Sequence, residues 1–293
     1  MKMIRFLWMA LLPIIGFNTL NGQDFIFSNG FESPLYLNPG FAGNAEYPTL
    51  TTHIKKPASI GGLFYYAASY DQPVDKLRGG IGFVLSSSII EDIKTESLLN
   101  GIYALHLKVS DEVYIRPAIN LGLGYNHISN GGLTGGGSGN DQVSKGYLNA
   151  GFGVLVGYRN VTAGLAVDHF NKPDIGYENA ENRLPAKITL HGILQHEIQD
   201  NMFLFPGLIY QHHWGLNRFV PSLVADIMGF RVGVSVIRQS SATVGSTGFT
   251  GLVGVALNQF VLGYSYTAHA GDIVLIDLPA HEFAITYKFK GRN

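Results

Sequence analysis

The final stretch of the chain, residues 280–290, alternates apolar and polar side chains in the sequence AHEFAITYKFK. Successive side chains of a β-strand point to opposite faces, so this stretch has one aromatic face and one polar face. The first face comprises His281, Phe283, Ile285, Tyr287 and Phe289, and the second comprises Ala280, Glu282, Ala284, Thr286, Lys288 and Lys290. A soluble sandwich could contain such a strand, but an aromatic, amphipathic strand next to the C-terminus is typical of the closing strand of an outer-membrane barrel.

The same alternation recurs along the chain, in about 14 stretches that are long enough to cross a bilayer as tilted strands. We place these candidate strands at residues 47–55, 61–70, 79–90, 93–108, 111–127, 146–158, 160–170, 185–198, 201–212, 217–227, 229–238, 247–257, 259–268 and 280–290. The pattern predicts an all-β protein with one transmembrane antiparallel β-barrel over residues 47–293, preceded by a short irregular segment.

The fifth candidate strand shows the two faces most clearly. Ile119, Leu121 and Leu123 share one parity, whereas Asn120 and Gly122 share the other. Because lipid-facing and lumen-facing residues alternate along a barrel strand, we expect the first group to contact lipid and the second to face the lumen.

The connections between the candidate strands form a second pattern. Short links at residues 110–112, 159–160, 200–201, 228–229 and 258–259 alternate with longer links at residues 128–145, 171–184, 239–246 and 269–279. Outer-membrane barrels have short periplasmic turns and longer extracellular loops, so the short links are predicted to face the periplasm. The link 71–78 is longer than this scheme predicts for a periplasmic turn.

The composition fits a barrel with a lipid-facing exterior. Hydrophobic residues make up 46% of the chain, but they are interleaved with polar residues rather than massed in one apolar run. Cysteine is absent, which excludes disulfides and thiolate metal sites. The formal net charge of −1 gives no electrostatic case for a nucleic-acid partner.

The residues before the barrel divide into two parts. Residues 1–22 read as a secretory signal peptide, because a positively charged start precedes an apolar stretch too short to span a membrane as a helix. Residues 23–46 show no strand alternation and contain turn-forming pairs such as Ser33-Pro34 and Asn38-Pro39. We interpret this N-terminal segment as a periplasmic or lumen-plugging element.

A compact apolar stretch inside the N-terminal segment is the candidate contact for a partner protein. It comprises Pro34, Leu35, Tyr36, Leu37, Asn38, Pro39 and Phe41. Apolar side chains clustered just outside the membrane need something to pack against. The alternative is therefore that the stretch plugs the lumen of its own barrel.

No sequence motif indicates catalysis or cofactor binding. The glycine-rich stretch 131–141 lacks the lysine of a phosphate-binding loop and the spaced carboxylates of a calcium loop. His191 and His196 lie on opposite faces of a strand, as do His212 and His213, so neither pair can chelate a metal together. A Gly-x-Ser-x-Gly nucleophile motif is also missing from the sequence. We predict no cofactor, no metal site and no enzymatic activity.

The sequence QDFIFSNGFESPLYLNPGFAGN, residues 23–44, resembles the mature N-terminus of the PorP/SprF family of type IX secretion membrane proteins. The positions that match the family's Pro-Leu-x-Leu-Asn-Pro-Ala-x-Ala-Gly pattern are Pro34, Leu35, Leu37, Asn38, Pro39, Ala42 and Gly43. Phe25 and Gly40 stand where the family usually has proline and alanine. Residues 163–176 and the closing strand extend the likeness over most of the chain.

The resemblance implies a function that the strand pattern alone does not. It implies a non-enzymatic component of the type IX secretion and gliding apparatus in the Gram-negative outer membrane. Such a component aids secretion or surface attachment of a cognate large secreted protein, such as an adhesin. The implied partners are outer-membrane lipid, components of the secretion machinery and the secreted cargo. A signal peptide and a barrel fit a general diffusion porin or a small-solute transport barrel equally well, so this class is the alternative.

Overall fold

The computed structural model describes residues 27–28, 30–58, 61–129, 142–176, 181–241, 245–271 and 278–289. The strands in the first half are β1 (Thr49–Pro57), β2 (Leu63–Val74), β3 (Gly79–Ile90), β4 (Lys94–Leu105), β5 (Leu107–Lys108), β6 (Val113–Ser129), β7 (Gln142–Tyr158) and β8 (Val161–Asp168). Those in the second half are β9 (Lys187–Leu194), β10 (His196–Gln199), β11 (Met202–His213), β12 (Leu216–Ile227), β13 (Phe230–Ser240), β14 (Gly245–Leu257), β15 (Phe260–Gly271) and β16 (Ala280–Lys288). The predicted signal peptide and the glycine-rich stretch 131–141 lie outside the described residues.

These strands form one closed antiparallel β-barrel with 14 strands in its wall. Two wall strands are each interrupted once. β4 and β5 are separated by His106 and both pair with β6, while β9 and β10 are separated by Gln195 and both pair with β11. The barrel closes where β1 pairs with β16, with Lys55 directly opposite Glu282. The predicted fold class and strand number are confirmed.

The predicted faces of the strands are also confirmed. On β6, Leu121 and Leu123 are 63% and 66% exposed on the outer surface, whereas Asn120 is 3% exposed in the lumen. On β16, Phe283 lies outside and Glu282 inside, with exposures of 51% and 1%. Polar side chains therefore fill the interior and apolar ones cover the exterior, as expected for a barrel with lipid around it.

The two ends of the barrel differ in the length of their links. The end at which β1 begins and β16 ends has links of residues 75–78, 109–112, 159–160, 200–201, 228–229 and 258–259, and we call it the short-turn end. The opposite end, the loop end, carries longer links such as 130–141, 169–186 and 272–279. Since periplasmic turns are short in such barrels, we expect the short-turn end to face the periplasm.

Two details of the link pattern differ from the sequence prediction. The predicted long link 71–78 is in fact short, because β2 continues to Val74 and a 3₁₀-helix, Asp75–Leu77, makes the turn. At the loop end, the link 214–215 is as tight as a periplasmic turn. Trp214 and Gly215 both have positive φ, at 55° and 71°, which is the geometry of a two-residue hairpin turn.

In the part of the chain that the structure describes, helical structure is confined to short pieces. The helix α1 covers Pro34–Leu37, and 3₁₀-helices cover Gly30–Glu32, Pro39–Phe41 and Asp75–Leu77. Among the described residues, no helix is long and apolar enough to span a membrane.

The outward face of β6 gives a test of the membrane assignment. Replacing Leu121 with Arg should destabilise the barrel by about 2–4 kcal/mol if the residue lies near the bilayer midplane. The matched control is Leu77→Arg, because Leu77 is 50% exposed but sits in the turn beyond the strands and should cost only about 0–1 kcal/mol. Urea unfolding in lipid vesicles measures both, and equal costs for the two variants would contradict the assigned depth.

Candidate functional site: the N-terminal segment in the lumen

The described part of the N-terminal segment runs through the lumen of the barrel. Near the loop end, Phe27 packs in a cluster with Leu63, the first residue of β2, and with Leu278. At the short-turn end, Gly43 lies against Gly80 near the start of β3. The segment therefore extends along the barrel axis rather than lying across one mouth.

The local sequence explains the shape of the segment. Pro34 occupies the first turn of α1, where its missing N–H and fixed φ are tolerated. Asn38 ends the helix in an extended conformation, as expected for a residue that precedes a proline. Its Oδ1 then accepts a hydrogen bond from the backbone N–H of Gly40 at 2.8 Å and caps the next 3₁₀-helix. The Asn-Pro-Gly sequence thus builds a compact double turn.

Asn38 also ties the segment to the barrel wall. Its Nδ2 lies 3.2 Å from the carbonyl oxygens of both Val154 and Leu165, and 3.0 Å from Nε2 of His191. Asn38 is fully buried. A buried amide is favourable only when its donors and acceptors find partners, so these contacts fix the position of this residue.

Inward-facing glycines make room for the segment. A Cβ atom on Gly153 would lie 2.4 Å from Oδ1 of Asn38, and one on Gly164 would lie 2.5 Å from its Nδ2. Further along, a Cβ on Gly80 would lie 2.2 Å from the carbonyl oxygen of Ala42. Gly43 itself has φ of +66°, a conformation that a side chain would strain. The side chain of Asn38 therefore lies directly on the wall backbone at Gly153 and Gly164, and the segment backbone touches the wall backbone at Gly80.

Apolar side chains of the segment pack into apolar patches of an otherwise polar interior. Phe27 and Leu35 belong to two such clusters, and Leu37 and Phe41 share a third. The wall residues of the third cluster are Leu155, Ile209, Val220 and Ile237. Burying a Leu or Phe side chain fully contributes about 1.5–3 kcal/mol, so these contacts hold the segment firmly in place.

A buried charged cluster anchors the beginning of the segment at the barrel seam, the place where β1 pairs with β16. Glu282 lies 3.3 Å from Nζ of Lys55 and 3.4 Å from Nε2 of His53. The same carboxylate accepts hydrogen bonds from the backbone N–H of Ser28 at 3.0 Å and from its hydroxyl at 2.6 Å. Ser33 completes the cluster through a 2.6 Å contact between its hydroxyl and Nδ1 of His53. Charge-assisted hydrogen bonds of this kind are stronger than neutral ones, so the cluster joins the segment to both seam strands.

A second polar group lies on the opposite side of the segment. Lys187 pairs with Asp168 at 3.2 Å, and its ammonium group lies 4.9 Å from the ring centre of Tyr36. Asn120 donates a hydrogen bond to the same Asp168 at 3.1 Å. A cavity of about 30 Å³ borders Tyr36 and these side chains, which is space for roughly one or two water molecules.

The link between β8 and β9 covers part of the loop end. Its residues Ile175 and Leu184 are 2% and 3% exposed. Asp174 holds this link in shape by accepting hydrogen bonds from Lys145 and from the backbone N–H groups of Gly176 and Asn182. The hydrogen bond from Lys145, reinforced by the backbone donors, keeps the pKa of Asp174 well below its usual range.

The structure places the predicted partner-contact residues inside the barrel. Leu35, Leu37, Asn38, Pro39 and Phe41 are buried. Pro34 and Tyr36 are half-buried. All seven belong to the segment that packs on the barrel's own wall, and their contact with a partner protein stays a prediction.

Sequence reasoning missed the anchor of the segment. Lys55 and His53 were not assigned to the lumen, although they share the parity of Thr51, opposite to that of the outward-facing Leu50 and Ile54. That parity, combined with closure of β1 on the last strand, could have placed Lys55 beside Glu282. Nothing in the sequence points to Ser28, which lies 254 residues from Glu282.

The histidines do not assemble into a metal-binding group. His191 is buried in the lumen while His196 is exposed. His213 faces inward, and His212 bonds to Asn217 across the neighbouring turn. In the part of the chain that the structure describes, no group of three or more His, Cys, Asp or Glu side chains could hold a metal ion.

Comparisons with known proteins give one family and one fold. A family model described as "Type IX secretion system membrane protein PorP/SprF" matches residues 19–287. No curated protein matches the chain. Among solved structures, the CymD monoaromatic hydrocarbon channel has a TM-score of 0.57 at 12% identity, and it covers 92% of this chain and 96% of its own.

Two further solved structures show the same barrel fold. A Pseudomonas aeruginosa FadL homologue has a TM-score of 0.55 at 10% identity, with 92% of this chain and 96% of its own chain covered. The Ralstonia pickettii toluene transporter TbuX has a TM-score of 0.53 at 11% identity, with the same coverage. Family and fold together place the protein in the outer membrane of a Gram-negative cell. Both are those of outer-membrane barrel proteins rather than of known enzymes.

Adding a methyl group at Gly153 should dislodge the segment, because the new Cβ would overlap Asn38. The chain has no cysteine, so Ser33→Cys provides a single thiol on the buried segment. We expect slow thiol labelling in that parent and clearly faster labelling once Gly153→Ala is added. Gly251→Ala is the control, since no atom lies within 4 Å of its added Cβ. Unchanged labelling in Gly153→Ala would contradict the close contact.

The seam cluster gives a second test. Glu282→Gln removes the carboxylate beside buried Lys55 and should cost about 3–5 kcal/mol of barrel stability. The double variant Lys55→Met, Glu282→Gln removes both charges and should cost clearly less than the two single changes added together. Urea titration of the parent, the Lys55→Met protein, the Glu282→Gln protein and the double variant measures the coupling. Strict additivity would show that the ion pair does not contribute to closing the seam.

Proposed function

Because the chain belongs to the PorP/SprF family of type IX secretion system membrane proteins, we propose that it is a non-enzymatic outer-membrane barrel that aids secretion or surface attachment of a cognate large secreted protein, such as an adhesin. Its partners under this proposal are the surrounding lipid, components of the type IX machinery and the secreted cargo. Gliding of the cell is a process that such a displayed adhesin would serve.

The single observation that carries the proposal is the lumen occupied by the N-terminal segment. A diffusion porin needs a continuous water path lined by charged side chains that select the solute. Here the lumen-facing Lys55, Glu282 and Lys187 are buried, Asp168 is half-buried, and these charges pair with one another. A barrel whose inward charges are engaged in holding its own segment is better suited to binding than to diffusion.

Under this proposal the protein works by binding its partners. The barrel wall holds the loop end and the short-turn end at fixed positions in the membrane, and the N-terminal segment runs through the lumen between them. Asn44 and Glu46 are exposed at the short-turn end, where periplasmic components can reach them. A partner that binds Leu35, Leu37 or Phe41 must first draw the segment out of the lumen, and it must then offer these side chains an apolar surface comparable to that of the wall.

A second candidate function is transport of small apolar molecules. It is favoured by the fold alone, because the similar solved barrels include a hydrocarbon channel and a toluene transporter. At 11–12% identity, that likeness supports the shape of the barrel and not its substrate. Under this alternative the N-terminal segment would be a movable gate of the lumen rather than a permanently bound plug.

Deletion of the gene separates the two functions. We expect loss of surface display of one cognate secreted protein, with nearly normal uptake of small solutes and hydrocarbons. Immunodetection of the cargo on intact cells and uptake of a radiolabelled solute measure these outcomes. Normal display, together with a steady ion current from the purified barrel in planar bilayers, would favour the transport alternative.

The double variant Leu37→Asp, Phe41→Asp examines the segment itself. Two carboxylates in the third apolar cluster should expel the segment from the lumen, because buried unpaired charges are strongly unfavourable. Cargo display and resistance of the barrel to heat are measured separately in the same strain. Lost display with a heat-stable barrel would support a partner contact, whereas lost heat resistance would support a structural plug. If neither changes, the segment is not the working contact.

A further inference from the structure

A pocket of about 420 Å³ lies at the short-turn end and is lined mainly by the hairpin of β5 and β6. Three cationic side chains and two carboxylates are part of its lining: Lys108, Arg116, Arg159, Asp111 and Glu112. Its size is that of an ordinary ligand-binding pocket. None of the lumen contacts that hold the segment near Glu282 involves these residues.

The two carboxylates of the pocket already have partners. Asp111 pairs with Lys108 at 2.8 Å, and Glu112 pairs with Arg159 at 3.0 Å. All four side chains are more than half exposed. Exposed ion pairs of this kind are weak, so they exchange easily with other charged groups.

Arg116 differs from the other cations because no carboxylate of the described residues pairs with it. Its guanidinium stacks on the ring of Tyr114, with its central carbon 4.6 Å from the ring centre. One Nη1–H donates to the side-chain oxygen of Asn44. The Nε–H is buried and has no hydrogen-bond partner among the described residues. A guanidinium has five donors, and the hydrogen bond to Asn44 uses one of them, so the group keeps further capacity to bind an acceptor.

The stacking on Tyr114 gives Arg116 a fixed orientation. The tyrosine is itself held, since its hydroxyl lies 3.1 Å from Oγ1 of Thr162 and its ring covers Gly157. A planar guanidinium held in one orientation binds a carboxylate through two parallel hydrogen bonds better than a mobile one does. The pocket therefore matches a carboxylate in both charge and geometry.

The direction in which the pocket opens decides what kind of ligand can reach it. Arg116 and Tyr114 share the inward parity of Ala118 on β6, and Arg116 reaches the segment at Asn44. His106, also in the lining, donates to the carbonyl oxygen of Ala42 at 2.9 Å. Arg116 and His106 thus lie at the mouth of the lumen beside the segment, which favours a peptide from the periplasm over a lipid headgroup as the ligand of Arg116.

We propose that this pocket binds an acidic peptide segment of a periplasmic protein, with Arg116 holding one of its carboxylates. The identity of that protein as a secretion component rests on the proposed function, but the binding chemistry does not. A carboxylate is a stronger acceptor than the neutral amide of Asn44, so the ligand competes with Asn44 for Arg116. Binding at the pocket thereby loosens the exposed end of the N-terminal segment.

The test uses the purified full-length barrel and a fluorescein-labelled peptide, Gly-Ser-Glu-Glu-Glu-Ser, followed by fluorescence anisotropy. Its counterpart with glutamine in place of glutamate is the neutral control. We expect binding of the acidic peptide alone, and Arg116→Gln should weaken it at least about tenfold. The matched control Arg238→Gln removes an exposed arginine at the loop end and should leave the affinity unchanged.

A second variant is expected to change the affinity for the acidic peptide in the opposite direction. Asn44→Ala removes the internal competitor of the ligand, so the acidic peptide should bind more tightly than to the parent protein. This variant keeps the test decisive even if Arg116→Gln disturbs folding. Equal affinity in the Arg116→Gln and Arg238→Gln proteins, weaker binding to Asn44→Ala, or full displacement of the peptide by equimolar inorganic phosphate would each overturn the proposal. Because the assay contains no secretion components, such a result would leave the proposed function standing.

Discussion

The pairing of β1 with β16 is the contact on which the rest of the structure depends. In a bilayer every backbone N–H and C=O group must find a partner within the protein, so a membrane sheet has to close on itself. Closure brings Lys55 opposite Glu282 on the inner face of the seam. The lumen thereby gains a buried carboxylate with two basic neighbours, and Ser28 of the N-terminal segment binds to it. Closure of the barrel, which backbone hydrogen bonding requires, thus creates the site that binds the start of the segment.

The shape of the lumen is matched to the segment that fills it. Inward glycines at positions 80, 153 and 164 leave no side chain where the segment passes, and Asn38, Pro39 and Ala42 of the segment occupy the space that these glycines leave. Apolar patches on the inner face occur where Leu35, Leu37 and Phe41 dock. The segment and the wall are therefore complementary in shape, in polarity and in hydrogen bonding. This complementarity makes the segment an integral part of the folded barrel.

Much of the fold could be predicted from the sequence, because side chains along a strand of a membrane barrel alternate between lipid and lumen, and this alternation is visible in the sequence. The alternation at Leu121 and Glu282 predicted which side chains face lipid and which face the lumen, and short links between strands predicted the turns. The extent of β2 was not predictable, since Pro73 interrupts the pattern near its end and reads as a turn, yet pairing with Gly80 continues through it. The contact of Ser28 with Glu282 was out of reach, because no local rule connects residues 254 apart.

That separation has a consequence for how the protein is made. A contact between the first and the last parts of a chain forms late, since the intervening residues must be brought together before it can stabilise anything. Ser28 precedes Glu282 by 254 residues, so the start of the segment lacks its contact with the carboxylate until β16 has joined the wall. The contacts of Asn38 with Val154 and Leu165 need only strands that come earlier in the chain. A barrel that still lacks β16 therefore differs from the complete one at the start of the N-terminal segment.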